Sequence, residues 1–373
     1  MTPGGERHAG DGQRGTRFPG QPGASGTSRL RIGFSFWGFL GHGILDTPDG
    51  GRFWRRPIVD ALIDAGYEVI LLQVNRDAGE AGDDLPYSWD DGFPNLDVLL
   101  AEWRWALPGR NTTPCGNPGH TCDLHRQNDL LDHYTATGTA TIFWDTDRQL
   151  PAGDPLRDLG NAAICEPAML PASGARCLLH PLPDTALDAA DPDALAAACR
   201  ELPLAYVGNQ YDRDEQFDRF FAPAAARLPH RVAGKWPRTG QWPHVNFTGR
   251  CAFGEVQTIY RTALATVLLL PGRYARVGHV TQRLFEAVLA GCLPLTPSPI
   301  PAAAPFTPGR LHVHDGRQVA ERVEWAQRIA GTAEHVDLIS DCLARLEPFR
   351  LSTWATRLAG VITELTAATG TGR

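Results

Sequence analysis

No stretch of this chain holds the ~18 consecutive apolar residues that a membrane-spanning helix needs, so the sequence offers no transmembrane segment. Residues 1–29, MTPGGERHAGDGQRGTRFPGQPGASGTSR, lack the apolar core of a secretory signal and read as a disordered leader. The default expectation is a cytoplasmic protein. Basic charge is also in short supply: 35 Lys and Arg face 42 Asp and Glu, a formal net charge of −7. That balance weighs against a general nucleic-acid coat or a polybasic membrane surface, while leaving room for a local basic groove. The dinucleotide fingerprint is missing too. The loop after the first apolar run reads GFLGHG (residues 38–43), with G-x-x-G-x-G order in place of the G-x-G-x-x-G that brings a backbone up to a pyrophosphate. That spacing weighs against an NAD reading. Of the eight cysteines, Cys165, Cys177, Cys199 and Cys292 stand singly in apolar surroundings and read as small core residues of a reducing compartment.

What is present is ordinary globular material, 43% hydrophobic and 21% charged, with a length of 373 residues that predicts two domains. LRIGFSFWGF (residues 30–39) reads as a first strand, FWRRPIVDALIDAG (53–66) as a Gly-terminated helix and YEVILLQV (67–74) as a second strand. This is a β-loop-α-β unit of the doubly wound kind. Further strands are predicted at LDVLLAEW, TATIFWD, NAAICE and CLLHPL, with a helix at QNDLLDHYTATG. After the segment DAADPDALAAACRELP a second series follows: LAYVG, HRVAGK, HVNFTG, ATVLLLP, CLPLTP and RLHVH as strands, then helices at AERVEWAQRIAG and TWATRLAGVITELTA.

The most informative stretch is GHVTQRLFEAVLAG (residues 278–291). It follows ALATVLLLP, a short apolar run closed by a Pro-Gly break and therefore a buried parallel strand. Thr281 is placed as an N-cap, Leu284, Phe285, Val288 and Leu289 share a helical face, and Gly291 ends the helix. The helix start then lies at the carboxyl edge of a parallel sheet, where open α/β folds bind ligands. A helix N-terminus with Arg283 in its first turn suits a phosphate. Glu286, one turn on, is within reach of a sugar or ribose hydroxyl pair. The competing reading makes both residues ordinary solvated neighbours.

With YVGNQYDRDEQF (206–217), VNFTGRCAFGEVQTIYRTA (245–263), RLFEAVLAG (283–291) and the strand that follows, the C-terminal half resembles GT-B glycosyltransferases, especially their CgeB-type, spore-protein-like branch. The resemblance implies an α/β fold of two Rossmann-like, doubly wound parallel-sheet domains facing across a cleft. The expected boundaries are 30–185 for the acceptor-side domain, 186–345 for the nucleotide-sugar domain and 346–373 for a helix crossing back to the first. It also implies that Glu286 grips the donor ribose, that the helix N-terminus faces the diphosphate, and that the loop at Gly249 and Arg250 lies against the nucleobase. One departure stands out. Relatives with a second glutamate on this segment carry it where this chain has Gly278.

A glycosyltransferase must stabilise a nucleoside-diphosphate leaving group and activate an acceptor hydroxyl. Gly208 and Asn209 after the first strand of the second series can form an N–H pocket, with Arg213 on the next turn. Lys235 and Arg250 end the following two strands on the same edge, and Tyr274 and His279 occupy the loop before the central helix. On the acceptor side His42 has a ring whose ordinary pKa of ~6.5 suits a base at neutral pH, with Asp46 and Asp145 in reserve. Asp147, and Glu102 beside Arg104, are strand-end residues that touch substrate or serve as caps and ion pairs. An inverting enzyme needs such a base; a retaining one relies on the Gly-rich loop and the donor phosphate.

CGNPGHTCDLH places Cys115, His120, Cys122 and His125 as C-x4-H-x-C-x2-H, four soft ligands in a Gly/Pro loop. Three readings stay open: a structural zinc site, a Cys115–Cys122 disulfide, and a plain loop whose neighbours Trp103, Trp105, Arg110 and Arg126 face an acceptor. The sequence reading is thus a glycosyltransferase moving a sugar from a nucleoside-diphosphate sugar to a hydroxyl acceptor, needing no metal for catalysis. The acceptor is a small molecule, a glycan or, less favoured by the charge, a modified nucleobase. A nucleotide-sugar epimerase of the same fold and a binder without turnover are the alternatives.

Overall fold

The computed structural model describes residues 29–41, 50–82, 84–300 and 305–369. Two parallel sheets organise the chain. The first contains β1 (Arg31–Ser35), β2 (Glu68–Leu71), β3 (Ser88–Trp89), β4 (Val98–Glu102), β5 (Ala140–Trp144), β6 (Ala162–Glu166) and β7 (Arg176–Cys177), in the order β3-β2-β1-β4-β5-β6-β7. The second contains β8 (Leu202–Val207), β9 (His230–Ala233), β10 (Ala263–Val267), β11 (Leu293–Pro297) and β12 (His312–Val313), in the order β12-β11-β10-β8-β9. Every named pairing is parallel. Helices cover both faces of such sheets, so central strands read as unbroken apolar runs; β4 and β5 are buried along their whole length. The GT-B architecture expected from the sequence is the one found.

Strand order reverses between β1 and β4 in the first sheet and between β8 and β10 in the second. A crevice opens at each such point, outside the carboxyl ends of the strands. Register there is fixed by burial, because a one-residue slip would turn each apolar set to the other face.

One face of the first sheet packs on the Asp123–Ala136 helix through Leu130, Leu131 and Tyr134. Its other face packs on the Arg52–Asp64 helix and on the C-terminal helix Leu351–Thr369, whose Trp354, Leu358 and Ile362 join the core around Trp144. The chain returns to this sheet through a parallel bridge between Leu182 and Arg350, with Leu182 N donating to Phe349 O at 2.7 Å. Inside the first domain, Arg55 grips Glu102 with two bonds of 2.9 Å, and both side chains are almost wholly buried. Glu102 is thus an ion-pair residue.

Some sequence expectations change. HVNFTG forms a single bridge, Val232 to Phe247, because the chain there turns through Trp242 and Val245 into an aromatic cluster with Phe217 and Trp236. CLLHPL contributes only its start to a strand, and β3 and the Ala333–Ala344 helix carried no readable period. Cys165 and Cys292 are buried as expected, Cys177 is half-buried, and Cys199 is exposed. No helix among the described residues is long and apolar enough to cross a membrane.

Candidate active site

The carboxyl ends of both sheets face a cavity of about 530 Å³, the size range of small-molecule sites. On the C-terminal side the loops after β8 and β9 are pressed together. A Cβ on Gly234 would lie 2.0 Å from the Gly208 carbonyl oxygen, and its φ of 138° suits glycine alone. Trp236 Nε1 donates to Gly208 O at 2.8 Å, and Lys235 N donates to Asn209 Oδ1 at 2.7 Å. Asn209 therefore fixes the loop with its side chain while lining the cavity. Arg213 spans the crevice between β8 and β10. Its Nε donates to Leu269 O at 3.1 Å and its Nη1 to the carbonyls of Asn209 and Tyr211.

Arg250 lines the cavity from the next loop. The side chain of Lys235 is exposed and, with Gly249, does not line the cavity; Gly249 instead accepts from Gly234 N at 2.7 Å. Both are corrections to a reading based on strand ends, since the β9 loop turns its backbone inward and its lysine outward.

The central helix runs from Gln282 to Leu289, with Thr281 extended at the N-cap. Thr281 holds the N-cap position expected from the sequence, but its side chain makes no capping bond, and it lines the cavity beside the helix N-terminus. The first-turn N–H groups consequently have no side-chain cap from Thr281, the arrangement that receives an anion. Arg283 faces the cavity and is held by Glu286 at 2.5 Å. Burial pushes the Glu286 carboxyl up, and the Arg283 guanidinium opposes that push. Gly278 has a φ of 63°; the left-handed turn itself accounts for glycine there.

An aromatic seam joins the two domains at the cavity wall. Trp54 stacks on His180 at 4.0 Å, His180 meets His279 edge-on at 5.1 Å, and His279 stacks on Tyr274 at 3.9 Å. The Tyr274 hydroxyl donates to Asp147 across the cleft, and Arg273 Nε reaches the Asp147 carbonyl at 3.3 Å. Burial lowers the His180 pKa to about 3 and holds that of His279 well below its ordinary value, so both rings are neutral near pH 7. Neither nitrogen of His279 has a hydrogen-bond partner among the described residues.

On the N-terminal side Arg104 is buried, paired to Asp123 at 2.6 Å and layered over Trp37 at 4.4 Å. Trp37, Trp105 and Arg110 line the same wall. Asp145 is buried and caps its own turn, accepting from Gln149 N and Leu150 N at 2.9 and 2.8 Å, and burial raises its pKa to about 6. It does not line the cavity. Asp147, two residues on, does, and burial raises its carboxyl pKa as well. His42 and Asp46 lie outside the described residues. Trp103 turns into the core against Phe143 and Arg126 ties Leu72 O to Gly92 O, so neither faces the cavity. Cys115, His120, Cys122 and His125 gather in a cluster apart from the cavity wall.

Sequence reading missed Trp37, Arg55, His180, Arg273 and Gln282. Only His180 carried a signal, a lone imidazole closing the apolar run CLLH. Eight arginines and two aspartates line the cavity, in a chain of net charge −7; Arg55, Arg104, Arg273 and Arg283 are paired with Glu102, Asp123, Asp212 and Glu286.

The chain matches no family model and no curated sequence. Solved structures resemble it in fold. The DNA modifying enzyme beta-glucosyltransferase aligns at a TM-score of 0.57 and 13% identity, over 90% of this chain and 100% of the other. A T4 phage form of that glucosyltransferase with UDP and Mn2+ aligns at 0.57 and 12%, over 91% and 99%. Anabaena HepE in complex with UDP-glucose aligns at 0.55 and 10%, over 90% and 100%.

Proposed function

We propose that the chain is a glycosyltransferase that carries a sugar from a nucleoside diphosphate to an acceptor hydroxyl. The observation that supports it best is the charge of the cavity. Eight arginines gather at the carboxyl ends of both sheets; four are paired with carboxylates, while Arg213 bonds backbone carbonyls beside a helix N-terminus that Thr281 leaves open. A diphosphate is the ligand such a field favours. In this reading Gly208, Asn209, Arg213, Arg250, Thr281 and Arg283 hold the donor, with Glu286 orienting Arg283 or exchanging it for ribose hydroxyls. The neighbours solved with UDP or UDP-glucose make a uridine donor the first to test.

Asp147 is the proposed acceptor-side base. It lines the cavity from the first domain, and its raised pKa makes it a stronger base than an exposed carboxylate. It takes the acceptor hydroxyl proton as that oxygen bonds to the anomeric carbon. The bond from that carbon to the diphosphate oxygen breaks, and Arg213 and Arg283 receive the developing negative charge. His42 is the second candidate for the base, on its sequence position alone. The reading keeps catalysis independent of metal, places the enzyme in the cytoplasm and aligns it with the CgeB-type branch.

A thermal-shift series with UDP, GDP, TDP, ADP and CMP tests the donor site on the wild type and on Arg283→Ala. Saturation at 100 times Kd adds about 2.7 kcal/mol of stability. One nucleoside diphosphate should stabilise the wild type and not the variant; no response from any would sink the donor site. Donor hydrolysis without acceptor then separates an enzyme from a binder, and the same assay with and without Mn2+ tests metal independence. A DNA acceptor is favoured only if DNA is retarded in a salt-dependent way.

A further inference from the structure

The Cys/His cluster takes no part in the chemistry above. Cys115, His120, Cys122 and His125 each bring one donor atom, and the four atoms lie within 4.8 Å of one another. The two sulfurs are 3.8 Å apart, and Cys115 Sγ is 3.1 Å from His125 Nδ1. A tetrahedral ion with metal–sulfur bonds of ~2.3 Å sets two sulfurs about 3.8 Å apart by geometry alone. A disulfide needs ~2.05 Å, and both cysteines are free.

An independent observation comes from His120. The Thr113 hydroxyl lies 3.3 Å from Arg110 O, to which it donates, and 3.0 Å from His120 Nδ1. When the hydroxyl donates to that carbonyl it accepts from Nδ1–H, which leaves the lone pair on Nε2. That nitrogen is buried with no hydrogen-bond partner among the described residues. In that tautomer the imidazole stands beside two thiols and a second imidazole with an unpartnered nitrogen, set up as a metal ligand.

We infer that Cys115 Sγ, His120 Nε2, Cys122 Sγ and His125 Nδ1 bind one structural Zn2+. Two thiolates and two imidazoles select zinc over magnesium or calcium. A closed set of four protein ligands leaves no open position for catalysis. The ion fastens one wall of the cavity. Thr121 N and Thr113 Oγ1 both donate to Arg110 O, and Asn111 bridges Leu107 N and Trp105 O at 2.6 and 3.0 Å. Trp105, Leu107 and Arg110 line the cavity, so zinc holds the turn that presents them. That this wall receives the acceptor rests on the transferase reading; the metal site does not.

The full chain, expressed with zinc and purified without chelator under reducing conditions, is assayed for metal by mass spectrometry. One zinc per chain is expected, falling well below one in Cys115→Ser/Cys122→Ser. Because that variant can fail to fold, Co2+ is also exchanged into the wild type. Intense visible bands of a tetrahedral thiolate site support the inference. Sub-stoichiometric zinc with the weak spectrum of octahedral cobalt overturns it. Thr113→Val, which keeps all four ligands, should weaken zinc retention by about 10–100-fold. Stripping zinc should raise acceptor KM while UDP affinity holds. Equal loss of both would refute the wall role, and absence of binding by every nucleotide of the thermal-shift series in the zinc-loaded chain would refute the transferase reading while leaving the metal count intact.

Discussion

The two walls of the cavity are built on different physics. The C-terminal wall is shaped by its backbone: Gly208 against Gly234, the uncapped start of the Gln282–Leu289 helix, and an arginine that binds three carbonyls. The N-terminal wall is mostly side chains paired out of reach of water: Arg55 with Glu102, Arg104 with Asp123, and Trp37 between them. A backbone site recognises what is common to all donors, phosphate and ribose, and needs glycines in fixed places. A side-chain wall can be exchanged residue by residue to suit an acceptor. On the proposed transferase reading, one half would carry a general task and the other a particular one.

The sharpest way to break it is at the one acid that stands on the N-terminal wall and touches the other domain. Asp147→Asn should lower kcat by about 10²–10⁴-fold, the range for a lost general base, with donor affinity within a few-fold of wild type. Tyr274→Phe removes the bond to Asp147 but not the carboxylate and should cost far less. Equal losses in the two variants would mean that Asp147 serves only to latch the domains. Next in size is Glu102→Ala. Removing one partner of a buried ion pair strands the other, at a cost of about 3–5 kcal/mol in unfolding free energy. Arg55→Leu/Glu102→Leu should cost less, because it strands no partner of that ion pair, although the Phe39 carbonyl loses its Arg55 donor; chemical denaturation of the three proteins decides.

The same contrast explains what the sequence revealed. Strand ends, Gly breaks and the 3.6 period fixed the central helix at Gln282–Leu289 nearly to the residue, and with it Arg283 and Glu286. Those are local signals. Lys235 misled because a strand end names an edge, not the direction of a side chain. Asp145 and Asp147 are two residues apart on one turn, and only the packed turn shows that the first caps it and the second faces the cavity. Arg55 finds Glu102 across 47 positions, and His180 finds His279 across 99; no spacing rule encodes either. The cysteines and histidines were legible as a cluster because all four lie within eleven positions, 115 to 125.

On the backbone wall a smaller effect is expected. Glu286→Gln keeps the shape of the side chain but not the charge that holds Arg283. A charge-assisted bond is worth about 1.5–3 kcal/mol, so UDP should bind about 10–100-fold more weakly, read by calorimetry. Unchanged affinity would make that pair a matter of helix packing alone.

The smallest effect concerns the seam between the walls and can be isolated by pH. His180 is neutral when folded, with a pKa of about 3 against ~6.5 when unfolded. Between those values the unfolded chain binds the proton and the folded chain does not. Its contribution is complete above pH 6.5 and is lost as pH falls toward 3, by about 2 kcal/mol at pH 5. His279 pulls in the same direction. Asp145 pulls the other way, since a carboxyl raised to about 6 favours the folded state as pH falls. The total curve mixes all three, so the informative quantity is a difference. His180→Phe keeps a ring on Trp54 and removes the titration. Relative to wild type the variant should gain about 2 kcal/mol between pH 7.5 and pH 5. A gap that stays constant with pH would mean that His180 takes up its proton while folded, and the seam would then open in acid without unfolding the domains it joins.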